Sequence, residues 1–123
     1  MKKILIVDDD NVIADLYAIK FRSAGYDVSV VYSAAEMNAQ FASGLVPDLL
    51  LLDVIMPKMS GLEVVRHIIH NKVLEKMKII LLSGLDYKNT VDPKTAARIS
   101  AFCVKTEVIP SQVLKIVDDL FQK

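Results

Sequence analysis

Five short apolar runs recur along this chain, with longer mixed segments between them: Ile4-Leu5-Ile6-Val7, Val28-Ser29-Val30-Val31, Leu49-Leu50-Leu51-Leu52, Ile79-Ile80-Leu81-Leu82 and Ala101-Phe102-Cys103-Val104. A continuous apolar run bounded by polar residues fits a parallel strand covered on both faces better than a half-exposed strand, which would alternate. The segments between carry helical spacing. Ile13, Leu16, Tyr17 and Phe21 form one stripe, closed by Gly25 as a helix stop. Ser33-Ala34-Ala35-Glu36 has the pattern of a capping box, with Met37 and Phe41 following one turn apart. Ser60-Gly61-Leu62-Glu63 repeats that start signal, and Leu62, Val65 and Ile69 are the expected inner face. A last helix is expected from Pro110 or Ser111, since proline suits a first turn, burying Val113, Val117, Leu120 and Phe121. Between residues 85 and 98 the period is weakest. There Asp92-Pro93 reads as an N-cap followed by proline, predicting a short fourth helix of about two turns.

Strand then helix, repeated five times, predicts one α/β domain over residues 1–123. Right-handed crossovers give a doubly wound five-stranded parallel sheet with helices on both faces, and such sheets bind ligands beyond the carboxyl ends of their strands.

Composition narrows the function. Hydrophobic residues make up 53% of the 123 positions, which suits an interior covered on both sides. No apolar run reaches the ~18–20 residues of a membrane span, and the N-terminus lacks the form of a signal peptide; a soluble, cytoplasmic chain with no membrane insertion is expected. Fifteen basic and fifteen acidic residues cancel, which argues against direct contact with nucleic acid. The lone Cys103 excludes an internal disulfide and, within its apolar run, reads as core.

The chemistry lies after the strands. The first run is followed by Asp8-Asp9-Asp10, the third by Asp53, the fourth by Ser83 and the fifth by Lys105. In a parallel sheet these ends share one rim. Clustered carboxylates repel unless one takes up a proton or a cation intervenes, and hard carboxylate oxygens suit Mg²⁺. One of the acidic triplet, Asp10, is expected to cap the first helix instead. An aspartate beside Mg²⁺ can attack phosphorus and become an acyl phosphate. Mg²⁺, the Lys105 ammonium and the Ser83 hydroxyl could then meet the transferred group from separate directions. His67 and His70 lie three apart on the third helix without a third ligand nearby, so surface placement is expected.

These residues resemble the receiver domains of two-component signalling, the CheY-like family with its flavodoxin-like fold. The resemblance covers the whole chain and rests on Asp8-Asp9, on the stretch Asp53-Val54-Ile55-Met56-Pro57-Lys58-Met59-Ser60-Gly61, and on Ser83 and Lys105. The spacing of 30 positions from Asp53 to Ser83 and 22 more to Lys105 is similar to the family pattern. The resemblance implies Asp53 as phosphoacceptor, with Mg²⁺ (Mn²⁺ as substitute) held by Asp9, Asp53 and the Ile55 backbone carbonyl, and Asp8 helping through water. It implies a histidine kinase or phosphotransfer protein as donor, and a downstream protein target. Ser83 would swing toward the phosphoryl group and Phe102 turn inward behind it.

Three positions depart from the pattern: Thr106 stands where proline usually follows the lysine, Phe102 replaces the frequent tyrosine, and Arg98-Ile99 replaces a common Gly-Ala pair. A cis bond before Thr106 would cost ~3–4 kcal/mol. Either the bond is trans with Lys105 displaced, or packing holds it cis. Thr106 thus sustains an alternative, a pseudo-receiver interaction module that is not phosphorylated. An aspartyl-nucleophile phosphatase is disfavoured, because Ile55 occupies the place of its second aspartate.

Overall fold

The computed structural model describes residues 1–53, 61–84 and 92–122. In chain order these form β1 (Lys3–Val7), α1 (Asn11–Ser23), β2 (Asp27–Val31), α2 (Ala34–Ala42), β3 (Leu49–Asp53) and α3 (Gly61–Ile68). A 3₁₀ turn (Lys72–Leu74), β4 (Lys78–Ser83), α4 (Pro93–Ala96), β5 (Ala101–Val104) and α5 (Pro110–Phe121) follow. The five strands make one all-parallel sheet in the order β2-β1-β3-β4-β5, the expected doubly wound, flavodoxin-like arrangement.

Successive side chains of a strand point to opposite faces, and the core divides accordingly. Leu5, Val7, Leu50, Leu52, Ile79 and Leu81 pack with Met37 of α2 and with α3. Ile4, Ile6, Leu49, Leu51, Ile80 and Leu82 pack with Tyr17 and Phe21 of α1 and with Val113 and Val117 of α5. This is why the runs are apolar at every position. The expectation of full cover holds for β1, β3 and β4 and needs correcting for β2 and β5. These are the sheet's edges, and Ser29, Val30, Ala101, Phe102 and Val104 remain half-buried there.

The helices depart from expectation in three places. Leu16 is not part of the inner stripe of α1, being 53% exposed; Ala14, Tyr17, Ala18 and Phe21 are buried instead. On α3, Val64, Val65 and Ile68 are the buried residues, while Leu62 and Ile69 lie at the margin. The fourth helix is four residues long, one turn rather than two, with Asp92 as N-cap and Pro93 first, as expected. The last begins at Pro110 and buries Val113 and Val117, with Leu120 and Phe121 half-buried against the same cluster.

Helix ends follow local chemistry. Gly25 takes φ +96° beyond α1, donating to the Arg22 carbonyl while Tyr26 donates to that of Phe21. Gly44 (φ +102°) closes α2 in the same way. Only glycine adopts such angles without steric cost, which makes these two residues the stops. Cys103 is buried, and His67 and His70 are exposed, as expected. Among the described residues no helix is long and apolar enough to cross a membrane.

Candidate functional site

All five strands run the same way, so the residues at their carboxyl ends meet on one rim. Asp8 follows β1, Asp53 and Ser83 are the last residues of β3 and β4, and Lys105 follows β5. Pairing of Asp53 with Leu82, and of Ser83 with Val104, sets their relative heights.

The acidic triplet is sorted by local hydrogen bonding. Asp10 caps α1, its Oδ1 accepting from the backbone N–H of Val12 and Ile13 at 3.1 and 3.2 Å, as expected. Its own N–H donates to Asp8 Oδ1 at 2.9 Å, an Asx-turn that fixes the Asp8 carboxylate. Asp8 is buried, 3% exposed, whereas Asp9 faces solvent. Asp53 and Ser83 are each 4% exposed.

Lys105 ties the strand ends together. Its Nζ lies 3.3 Å from Asp8 Oδ2 and 3.3 Å from Asp53 Oδ2. Burial alone would lower the pKa of this ammonium; the charges of Asp53 and Asp8, with hydrogen bonds to both, outweigh it and hold the group above the ordinary lysine value. Sequence reasoning gave Asp8 only a water-mediated part, whereas it pairs with Lys105 directly.

The peptide bond between Lys105 and Thr106 is trans, and Lys105 nevertheless reaches both carboxylates. Its backbone N–H donates to the Ser83 carbonyl at 2.6 Å, and Glu107 N–H donates to the Val104 carbonyl at 2.9 Å, closing a turn. The stem of Lys105 lines a groove of about 140 Å³ with Ile13, Leu16, Tyr17, Val108 and Pro110. Leu16 therefore borders this groove rather than the core. Phe102 is half-buried against the α2–α3 side of the sheet. Ile55, the expected carbonyl ligand, lies outside the described residues.

Oxygens of Asp8, Asp9 and Asp53 all lie within 4.8 Å of one another. Adjacent and opposite oxygens around an octahedral Mg²⁺ are separated by about 3–4 Å, so the cluster needs only slight contraction to hold such an ion. The donor chemistry fits as well: hard oxygens only, with no sulfur or imidazole among them. Two of the carboxylates are fixed and buried, while the exposed Asp9 leaves an open side for water and a reacting group.

The chain matches the response regulator receiver domain over residues 4–118. It is 35% identical over 85 residues to the DNA-binding dual master transcriptional regulator RpaA of Synechocystis sp., covering 69% of this chain and 35% of that protein. To the alkaline phosphatase synthesis transcriptional regulatory protein PhoP of Bacillus subtilis it is 36% identical over 85 residues, covering 69% and 34%. The chain thus spans about a third of the length of these curated relatives. Among solved structures, the chemotaxis response regulator CheY4 of Vibrio cholerae superposes with a TM-score of 0.83 at 26% identity, over 97% of this chain and 98% of that one. The response regulator TrrA of Thermotoga maritima, in complex with Mg²⁺-BeF, gives 0.75 at 31% identity over 94% and 99%. With its strand order and its rim of acids, hydroxyl and lysine, this chain belongs to the response regulator receiver domain family.

Proposed function

We propose that Asp53 accepts a phosphoryl group from the phosphohistidine of a histidine kinase or phosphotransfer protein. The observation that carries this reading is the Lys105 ammonium, 3.3 Å from both Asp8 and Asp53 within a cluster of three carboxylates. In the transfer, an Asp53 carboxylate oxygen forms a bond to phosphorus while the N–P bond of the donor breaks, and its electron pair returns to the imidazole nitrogen. Lys105 compensates the negative charge gathered on the rim, and the Ser83 hydroxyl, at the neighbouring strand end, is the donor for a phosphoryl oxygen. Asp9, Asp53 and the Ile55 carbonyl are the proposed direct ligands of Mg²⁺, or of Mn²⁺ in its place, with Asp8 acting through water. When bound, the ion would neutralise charge shared between the carboxylates and the phosphoryl oxygens.

The chain is a signalling phosphoacceptor whose only chemistry is its own phosphorylation and hydrolysis. It acts in the cytoplasm, where its single thiol stays reduced, and hands the signal to a protein target through Ser83, Lys105 and Phe102. Thr106 kept open the alternative of a silent interaction module, and the position of Lys105 speaks against it. The test is incubation with acetyl phosphate and Mg²⁺, followed by intact-mass measurement. A gain of one acid-stable, hydroxylamine-labile phosphoryl group is expected, absent in Asp53→Asn and after chelation. Native protein that gains no phosphoryl group from acetyl phosphate or from a phosphohistidine donor would refute the reading.

A further inference from the structure

A helix of one turn has no stability of its own, because nucleation costs more than a single turn returns. α4 is such a turn, so whatever holds it must come from its surroundings. Asp92 caps it, accepting from the Thr95 N–H at 3.1 Å and from the Thr95 hydroxyl at 2.8 Å, with Thr95 only 1% exposed. Arg66 of α3 lies 3.7 Å from the same carboxylate. Both side chains of that ion pair are about half exposed, so it is the weaker tie.

The stronger tie is Arg98, just beyond the turn. Its Nη1 donates to the Met77 carbonyl and its Nη2 to the Leu74 carbonyl, each at 3.1 Å. Leu74 and Met77 are themselves anchored, each 2% exposed in the core. The planar guanidinium thus spans the carbonyl of Leu74, the last residue of the 3₁₀ turn, and that of Met77, the residue before β4, with two nitrogens held in one rigid fork. Next to it, Ser100 donates its N–H to the Ile79 carbonyl at 2.7 Å. These bonds join the amino ends of β4 and β5, on the rim opposite Asp53 and Lys105.

We propose that Arg98 is a clasp that fixes the α4 turn to the α3–β4 connection. The α4 turn therefore stays in place when the carboxyl ends of β4 and β5 rearrange at the phosphorylation site. The part of this inference that concerns activation rests on the function proposed above.

Amide hydrogen exchange on the full chain tests both parts. The probes are the N–H groups of Ala96, Ala97, Arg98 and Ile99, all bonded within the turn. Without ligand, Arg98→Met keeps the apolar stem and loses the guanidinium. Exchange at these four amides should quicken about tenfold while β1 and β3 amides stay within twofold. Arg98→Lys, with a single-point donor, should fall between. If Arg98→Met loosens the whole chain, Arg98→Lys against wild type decides. Unchanged exchange at the turn overturns the clasp. In wild type with Mg²⁺ and beryllofluoride, Lys105 N–H should change several-fold and the turn amides less than twofold. Turn amides that respond as strongly as Lys105 overturn the claim that the α4 turn stays in place. If no amide responds to beryllofluoride, the proposed function fails, and the ligand-free comparison still confirms or overturns the clasp.

Discussion

Replacing Lys105 by methionine keeps the stem in its groove and deletes the charge between two buried carboxylates. At an effective dielectric constant of about 20, each ammonium–carboxylate attraction at 3.3 Å is worth about 5 kcal/mol before desolvation is counted. Desolvation takes back most of that. Removing one partner of a buried pair typically costs ~3–5 kcal/mol, and the 22% exposure of the Lys105 side chain points to the lower end, about 3 kcal/mol. Asp8 and Asp53 then face each other without a cation, which is the situation a divalent ion relieves. Urea unfolding followed by far-ultraviolet circular dichroism, in a chain without tryptophan, should therefore show a loss of about 3 kcal/mol in chelator that shrinks to about 1 kcal/mol in saturating Mg²⁺. By linkage, the difference of about 2 kcal/mol requires Mg²⁺ to bind the variant about thirtyfold more tightly than wild type, which calorimetric titration measures. Acyl-phosphate formation should fall at the same time, because the ion replaces the charge of the ammonium but not its position. Equal losses with and without Mg²⁺, or unchanged Mg²⁺ affinity, would refute the view that lysine and metal compete for the same carboxylates.

Asp10→Ala removes the cap of α1 and should cost about 1 kcal/mol by urea unfolding with unchanged m; an effect within error would mean that solvent satisfies those N–H groups equally well. Gly25→Ala places a side chain at φ +96° and should cost about 1 kcal/mol in the same measurement, although nothing lies within 4 Å of the added carbon. The Tyr26 hydroxyl donates to the Asp118 carboxylate, and burial, that bond and the neighbouring charge push its pKa up to about 12. Because the folded-state value exceeds the ordinary 10.0, the contribution of Tyr26 is complete below about pH 10 and disappears as pH rises through about 12. Tyr26→Phe should thus lower stability by about 1 kcal/mol at neutral pH, a gap that closes across that window; curves that stay parallel to pH 12 contradict it.

Much of this was legible in the sequence because the determinants are local. The apolar runs mark all five strands, most clearly β1, β3 and β4, where both faces are buried and polar residues stand only at the strand ends. Gly25 and Asp92 mark helix ends because backbone angle and capping are decided within a few residues. What was not legible depends on packing between elements. The inner face of α1 uses Ala14 and Ala18, whose small side chains let the helix approach the sheet but give little hydrophobic signal, so the larger Leu16 reads as the better member of the stripe. The length of α4 was overestimated because Asp92-Pro93 fixes where a helix starts, not where it stops. Arg98 bridges to residues 21 and 24 positions away, a separation no local pattern reports.

Lys105 shows how a site tolerates losing part of its usual pattern. Proline after the lysine would restrict the backbone directly, and Thr106 cannot do so. The geometry is instead set by bonds that the sheet supplies in any case: Lys105 N–H to the Ser83 carbonyl, and the turn closed by Glu107 on Val104. Apolar walls from α1 and the start of α5 then line the course of the stem. These constraints come from β4, from the turn that follows β5 and from the helices packed on the sheet, not from the side chain of residue 106. A requirement that resembles a demand on one side chain is, physically, a requirement on where one ammonium sits. Spreading that requirement over several backbone contacts leaves residue 106 free to vary while the charge stays 3.3 Å from Asp53.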